Sequence, residues 1–128
     1  MAVRLFPALL TTFLVLWLGT ASGEPRLLPV FRWEDKLLHF LAFGIVMGSY
    51  FWALDYLLPR RWGQSALILA VGSATSLGAA LEVVQYYLPH RSAEWGDLLA
   101  DLLGACSMGL VCAALAVRPK DEAGGDVA

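Results

Sequence analysis

WGQSALILAVGSATSLGAALEVVQYYL, residues 62–88, decides the fold. At about 1.5 Å of rise per residue, a helix over this stretch exceeds the roughly 30 Å hydrocarbon core of a bilayer. Its only charged residue, Glu82, sits near its C-terminal end. The middle offers Gly72, Ser73, Ala74, Ser76, Gly78, Ala79 and Ala80 instead of a charged face. Such small residues let helices approach closely in lipid, where apolar surface alone provides no driving force for association.

Outward from this segment, three more apolar stretches of similar length occupy approximately residues 5–21, 37–58 and 98–117. The breaks between them collect Gly23, Glu24, Pro25 and Arg26, then Pro59, Arg60 and Arg61, then Pro89, His90 and Arg91. A proline at 59 or 89 stops a helix because its ring clashes with the preceding turn and it has no N–H to donate. The whole chain has 128 residues, is 59% hydrophobic and only 16% charged, and its mean hydropathy is +0.64. Soluble domains carry about 25% charged residues, so this composition fits lipid as the solvent. The formal net charge of −2 offers no basic surface for nucleic acid. The fold expected is all-α, a polytopic four-transmembrane-helix bundle over residues 1–118, with a disordered tail over 119–128 that is acidic and glycine-containing.

The first stretch has a second reading. Arg4, an apolar run and then Gly19, Ala21 and Ser22 also fit a cleaved signal peptide. A retained helix is simpler, since later segments already direct insertion. Either way the next segment lies outside the cytoplasm. For orientation, Arg4, Arg60, Arg61, Arg118 and Lys120 fall on one side and Arg26, Arg32, Lys36 and Arg91 on the other. The clustering of the first set in short segments places both termini in the cytoplasm.

Gly44 and Gly48 form a GxxxG in the second helix, and Gly104, Ala105, Ser107 and Gly109 line the fourth. Packing within one bundle is the expectation, and a homo-oligomer is the alternative.

Polar residues inside apolar segments carry the functional information, since buried charge in a membrane faces protein or water. Asp35 and His39, Glu82 and Gln85, and Asp97 and Asp101 are pairs three or four apart, each sharing a helix face. All three pairs fall at one end of the bundle, beside a loop carrying His90, Arg91 and Glu94. Most members also have ordinary explanations. Asp35 and Asp97 suit helix N-termini, Lys36 can snorkel to headgroups, and a lone His39 is commonly structural. Glu82 and Asp101 lie deeper and need partners. Arg91, just past Pro89, or His39 could partner Glu82, and Arg91 is the one expected. The polar pocket expected at the outer membrane face therefore comprises Asp35, Lys36, His39, Glu82, Gln85, Arg91, Asp97 and Asp101.

Asp35-Lys36 with His39 and Phe43, Glu82 with Gln85, Arg91 in the loop, and Asp97 with Gly104 resemble the pattern of the VanZ-like family of small bacterial membrane proteins. The match covers residues 35–109. Asp101 stands where the family usually has Asn. The resemblance implies a bacterial plasma-membrane protein of the cell envelope, linked to susceptibility to the glycopeptide teicoplanin.

Two classes of function fit. In one, the pocket binds an envelope lipid, a cell-wall lipid intermediate or another membrane protein, with Arg91 offered to phosphate or carboxylate. In the other, Glu82, His39, Asp97 and Asp101 serve a membrane-embedded hydrolase or transferase acting on a lipid-linked substrate. The expectation leans away from an enzyme. No HExxH or GxSxG is present. Cys106 and Cys112 are separated by about 600° of helical rotation and make neither a disulfide nor a metal pair. No cofactor and no metal are expected, although Asp35, His39, Glu82, Asp97 and Asp101 form the one set able to build a carboxylate-rich metal site. Ion transport ranks last, because no internal repeat is evident.

Overall fold

The computed structural model describes residues 2–22, 33–59 and 63–116. It contains α1 (Ala2–Thr20), α2 (Glu34–Leu57), α3 (Gly63–Tyr86) and α4 (Trp95–Ala116), with no strand among the described residues. All four helices are long and apolar enough to cross a bilayer. The chain is thus an all-α, multi-pass membrane protein built as a four-helix bundle. The basic residues used for orientation at 26, 32, 60, 61, 118 and 120, and the tail over 119–128, lie outside the described residues.

Cross-helix contacts fix the directions. Thr11 and Thr12 of α1 bond the hydroxyls of Ser49 and Tyr50 of α2 at 2.9 and 2.7 Å. The Arg4 guanidinium lies over Tyr56, 4.8 Å from the ring centre, near the other end of α2. α1 and α2 are therefore antiparallel. α2 and α4 run in the same direction, since Lys36, His39 and Gly44 meet Asp97, Asp101 and Gly104 in turn. The C-terminal ends of α1 and α3 and the N-terminal ends of α2 and α4 meet at one end of the molecule.

The interior is built from smaller side chains than the exterior. Ala66, Ala70, Ala74, Ala100 and Ala105 are buried with Val46, Met47 and Phe43, while Leu41, Ile45, Trp52, Ile68, Leu99 and Leu110 point outward. This is an arrangement for lipid, where close backbone approach replaces the hydrophobic effect between helices. The tightest approach is between α2 and α4. Gly44 lies against the Gly104 carbonyl, Gly48 against Met108, and a Cβ on Gly104 would overlap the Phe40 carbonyl. The GxxxG of α2 is thus used inside the chain. The small residues of α3 divide: Ala70, Ala74 and Gly78 face inward at four-residue spacing, while Gly72, Ser73 and Ser76 face outward. At about 100° per residue, one stripe of a helix takes only every fourth position.

α2 and α4 each begin three residues before the apolar stretch does, at Glu34 rather than 37 and at Trp95 rather than 98. Hydropathy follows side chains, whereas the helical backbone extends through polar turns. Glu34 and Asp35 lie in the first turn of α2 and Asp97 in that of α4, where carboxylates are stabilised by the positive end of the helix dipole.

Candidate functional site

Three helix ends bring the polar residues together. From the start of α2, Lys36 reaches across to α4 and the loop before it, with Nζ 3.0 Å from Asp97 Oδ1 and 2.9 Å from Glu94 Oε2. Its aliphatic stem crosses Gly96, where a Cβ would meet the lysine Cε at 2.7 Å. One turn further into α2, His39 Nδ1 lies 2.8 Å from Asp101 Oδ1. The His39 ring stacks parallel to Phe43 at 6.4 Å, which fixes its plane.

Glu82 faces this assembly from α3. Its Oε2 accepts the backbone N–H of Glu94 at 3.0 Å. The segment leading into α4 is thereby tied to the end of α3. Glu82 Oε1 and Asp101 Oδ2 are buried with no hydrogen-bond partner among the described residues. Asp101 packs over Gly78, where a Cβ would lie 2.5 Å from Oδ2. Glu82, Asp97 and Asp101 are 9%, 4% and 0% exposed. They form three buried carboxylates facing one lysine and one histidine. Two sets of donors lie within 4.8 Å of one another, Asp35 with His39 and Asp97, and His39 with Glu82 and Asp101. Either set has the residue types that bind a divalent cation.

Arg91 and Gln85 do something different. The Arg91 guanidinium donates from Nη2 to the carbonyls of Leu18 at 2.7 Å and Ala21 at 3.0 Å, and from Nε to Ala21 at 3.2 Å. Gln85 Nε2 donates to Gly19 O at 2.9 Å, and His90 Nε2 lies 3.2 Å from Thr20 O. The last carbonyls of α1 have no partner within their own helix, and these three side chains satisfy them. The expected Glu82–Arg91 pair is therefore corrected. A helix end supplies several fixed acceptors within reach of the loop, and Glu82 is already engaged by Glu94. The expected set thus divides into Asp35, Lys36, His39, Glu82, Asp97 and Asp101 around the acidic centre, and Gln85 and Arg91 on the α1 terminus.

Sequence reasoning missed Glu94 as an ion-pair partner and Gly78 and Gly96 as the space beneath Asp101 and Lys36. Glu94 did carry a signal, since it precedes the first turn of α4, where orphan N–H groups gather.

A cavity of about 570 Å³ opens beside the acidic centre between α3 and α4. Ala79, Val83 and Leu98 form apolar walls, Tyr86, Tyr87 and Trp95 ring its edge, and Glu82 and Glu94 supply its polar end.

A family model described as VanZ/LLP1 matches residues 5–117. An uncharacterised protein of fission yeast (Schizosaccharomyces pombe) is 35% identical over 95 residues, which cover 74% of this chain and 52% of that protein. The chain therefore spans about half the length of that curated relative. No solved structure matches the chain.

Proposed function

The chain belongs to the VanZ/LLP1 family, and from that premise and the site geometry we propose that it binds a lipid-type amphiphile of the cell envelope at one membrane face. The cavity between α3 and α4 carries this reading. Its volume of about 570 Å³ falls within the roughly 300–1,000 Å³ of small-molecule sites. Ala79, Val83 and Leu98 suit an acyl or prenyl chain, and the polar end at Glu82 and Glu94 suits a headgroup. Tyr86, Tyr87 and Trp95 are largely exposed, which suits aromatic side chains at a membrane interface. Arg91, committed to α1, is not the headgroup ligand in this reading.

In a bacterial plasma membrane with both termini cytoplasmic, the cavity faces the outer leaflet, where lipid-linked cell-wall intermediates are handled. The teicoplanin link implied by the family resemblance then follows from occupancy of such an intermediate. The test is native mass spectrometry of the full chain released from membranes. The wild-type protein is expected to retain a specific lipid class, and Ala79→Trp, which fills the cavity, to lose it. Equal retention by both overturns the reading.

A further inference from the structure

We propose that His39, Glu82 and Asp101 hold a divalent metal ion of the zinc or manganese type behind the lipid cavity. The site has donors from three helices, α2, α3 and α4, all of them members of the polar pocket expected from the sequence. One nitrogen and two carboxylate oxygens lie within 4.8 Å of one another. Ligands around one such ion, with bonds of about 2.0–2.2 Å, sit roughly 3.4 Å apart, so side-chain rotations of about an ångström close the set.

The independent observation is the pair of orphaned oxygens. Asp101 is fully buried and its Oδ2 has no hydrogen-bond partner; Glu82 is nine-tenths buried and the same is true of its Oε1. Each carboxylate has one oxygen engaged, by His39 and by the Glu94 N–H respectively, so both residues are held in position with an acceptor left over. Buried acceptors of this kind are costly unless a cation or donor meets them. The composition of the site points the same way, since three buried acidic side chains, Glu82, Asp97 and Asp101, face one lysine and one histidine.

The donor chemistry sets the class of ion. One imidazole with carboxylates suits zinc, manganese or ferrous iron, whereas magnesium and calcium favour all-oxygen shells. Asp97 and Asp35 each have a donor atom within 4.8 Å of one on His39, close enough for either to become a further ligand. At Gly78 any side chain would displace Asp101 Oδ2.

The test uses the full chain in detergent, stripped of metal, with Zn²⁺ and Mn²⁺ each added alone and Mg²⁺ as comparison. The expected result is saturable binding of about one Zn²⁺ or Mn²⁺ per chain, with a metal-dependent rise in thermal midpoint. Asp101→Asn and His39→Ala are each expected to weaken affinity at least about tenfold, while the outward-facing Ser76→Ala leaves it unchanged. Helicity by circular dichroism separates lost binding from lost folding. Should both site variants fail to fold, the wild-type titration decides alone. Substoichiometric binding, or binding that Asp101→Asn and His39→Ala leave intact in folded protein, overturns the proposal. Ala79→Trp retains the metal, so failure of the lipid reading is distinguishable from failure of this one.

Discussion

Glu82 and Arg91 are nine residues apart and opposite in charge, yet the structure makes their substitutions nearly independent. Arg91 makes three hydrogen bonds to the terminal carbonyls of α1, at 2.7, 3.0 and 3.2 Å, and Glu82 holds the Glu94 N–H at 3.0 Å. Hydrogen bonds to charged groups contribute about 1.5–3 kcal/mol net when well formed. A cation at a helix C-terminus adds about 0.3–1 kcal/mol. The Arg91 bonds share two carbonyls and the side chain is partly exposed, so they will not add in full. Arg91→Gln is therefore expected to cost about 2–3 kcal/mol. In metal-stripped protein, Glu82→Gln keeps a side-chain oxygen for the Glu94 N–H and removes a buried acidic group, so its cost there should stay below about 1 kcal/mol. With separate partners the coupling in the double mutant should be at most about 0.5 kcal/mol. The assay is reversible unfolding of the full chain in mixed micelles, followed by circular dichroism, for wild type, both single variants and the double variant. Losses near 3–5 kcal/mol for each single change, largely recovered in the double, would mark a buried ion pair and refute the assignment of Arg91 to α1.

Other outcomes follow from the same contacts. Gly104→Ala forces a Cβ into the Phe40 carbonyl, so it should destabilise the bundle by about 1–3 kcal/mol in the same assay, with Gly72→Ala, which meets nothing, as a neutral control. Lys36→Met removes the cation beside the 4%-exposed Asp97 and should cost about 3 kcal/mol, while Asp97→Asn in that background should restore part of the loss. Cysteine labelling of intact cells is expected to reach a probe at Ser92 but not one at Gln64 or Ala123; the reverse pattern would move the cavity to the cytoplasmic leaflet.

The four helices were legible because each must be apolar over its whole length, a property that a hydropathy pass along the chain detects directly. Hydropathy alone starts α2 and α4 three residues late, but the helix dipole already placed Asp35 and Asp97 at helix N-termini, and the structure has them in the first turns. Within a helix, spacing showed that Asp35 and His39 share a face, as do Asp97 and Asp101. It could not show that Lys36 meets Asp97 or that His39 meets Asp101, because those contacts depend on how α2 and α4 dock, set by Gly44 and Gly104. Arg91 was misassigned for the same reason. Its partners lie some seventy residues earlier, on backbone carbonyls that no side-chain pattern reveals. Asp35, His39, Glu82, Asp97 and Asp101 were legible as a possible donor set, but spacing within single helices could not show which of them lie within reach of one another.

The central claim is that the polar end of this bundle receives one class of lipid. A photoreactive phenylalanine analogue at Trp95, on the cavity edge, and another at Leu110, on the outer face of α4, test it in native membranes by mass spectrometry of the adducts. The account predicts one lipid class enriched at position 95 over the bulk composition captured at position 110, with the enrichment abolished by Ala79→Trp. The same bulk lipid composition at both positions would contradict it.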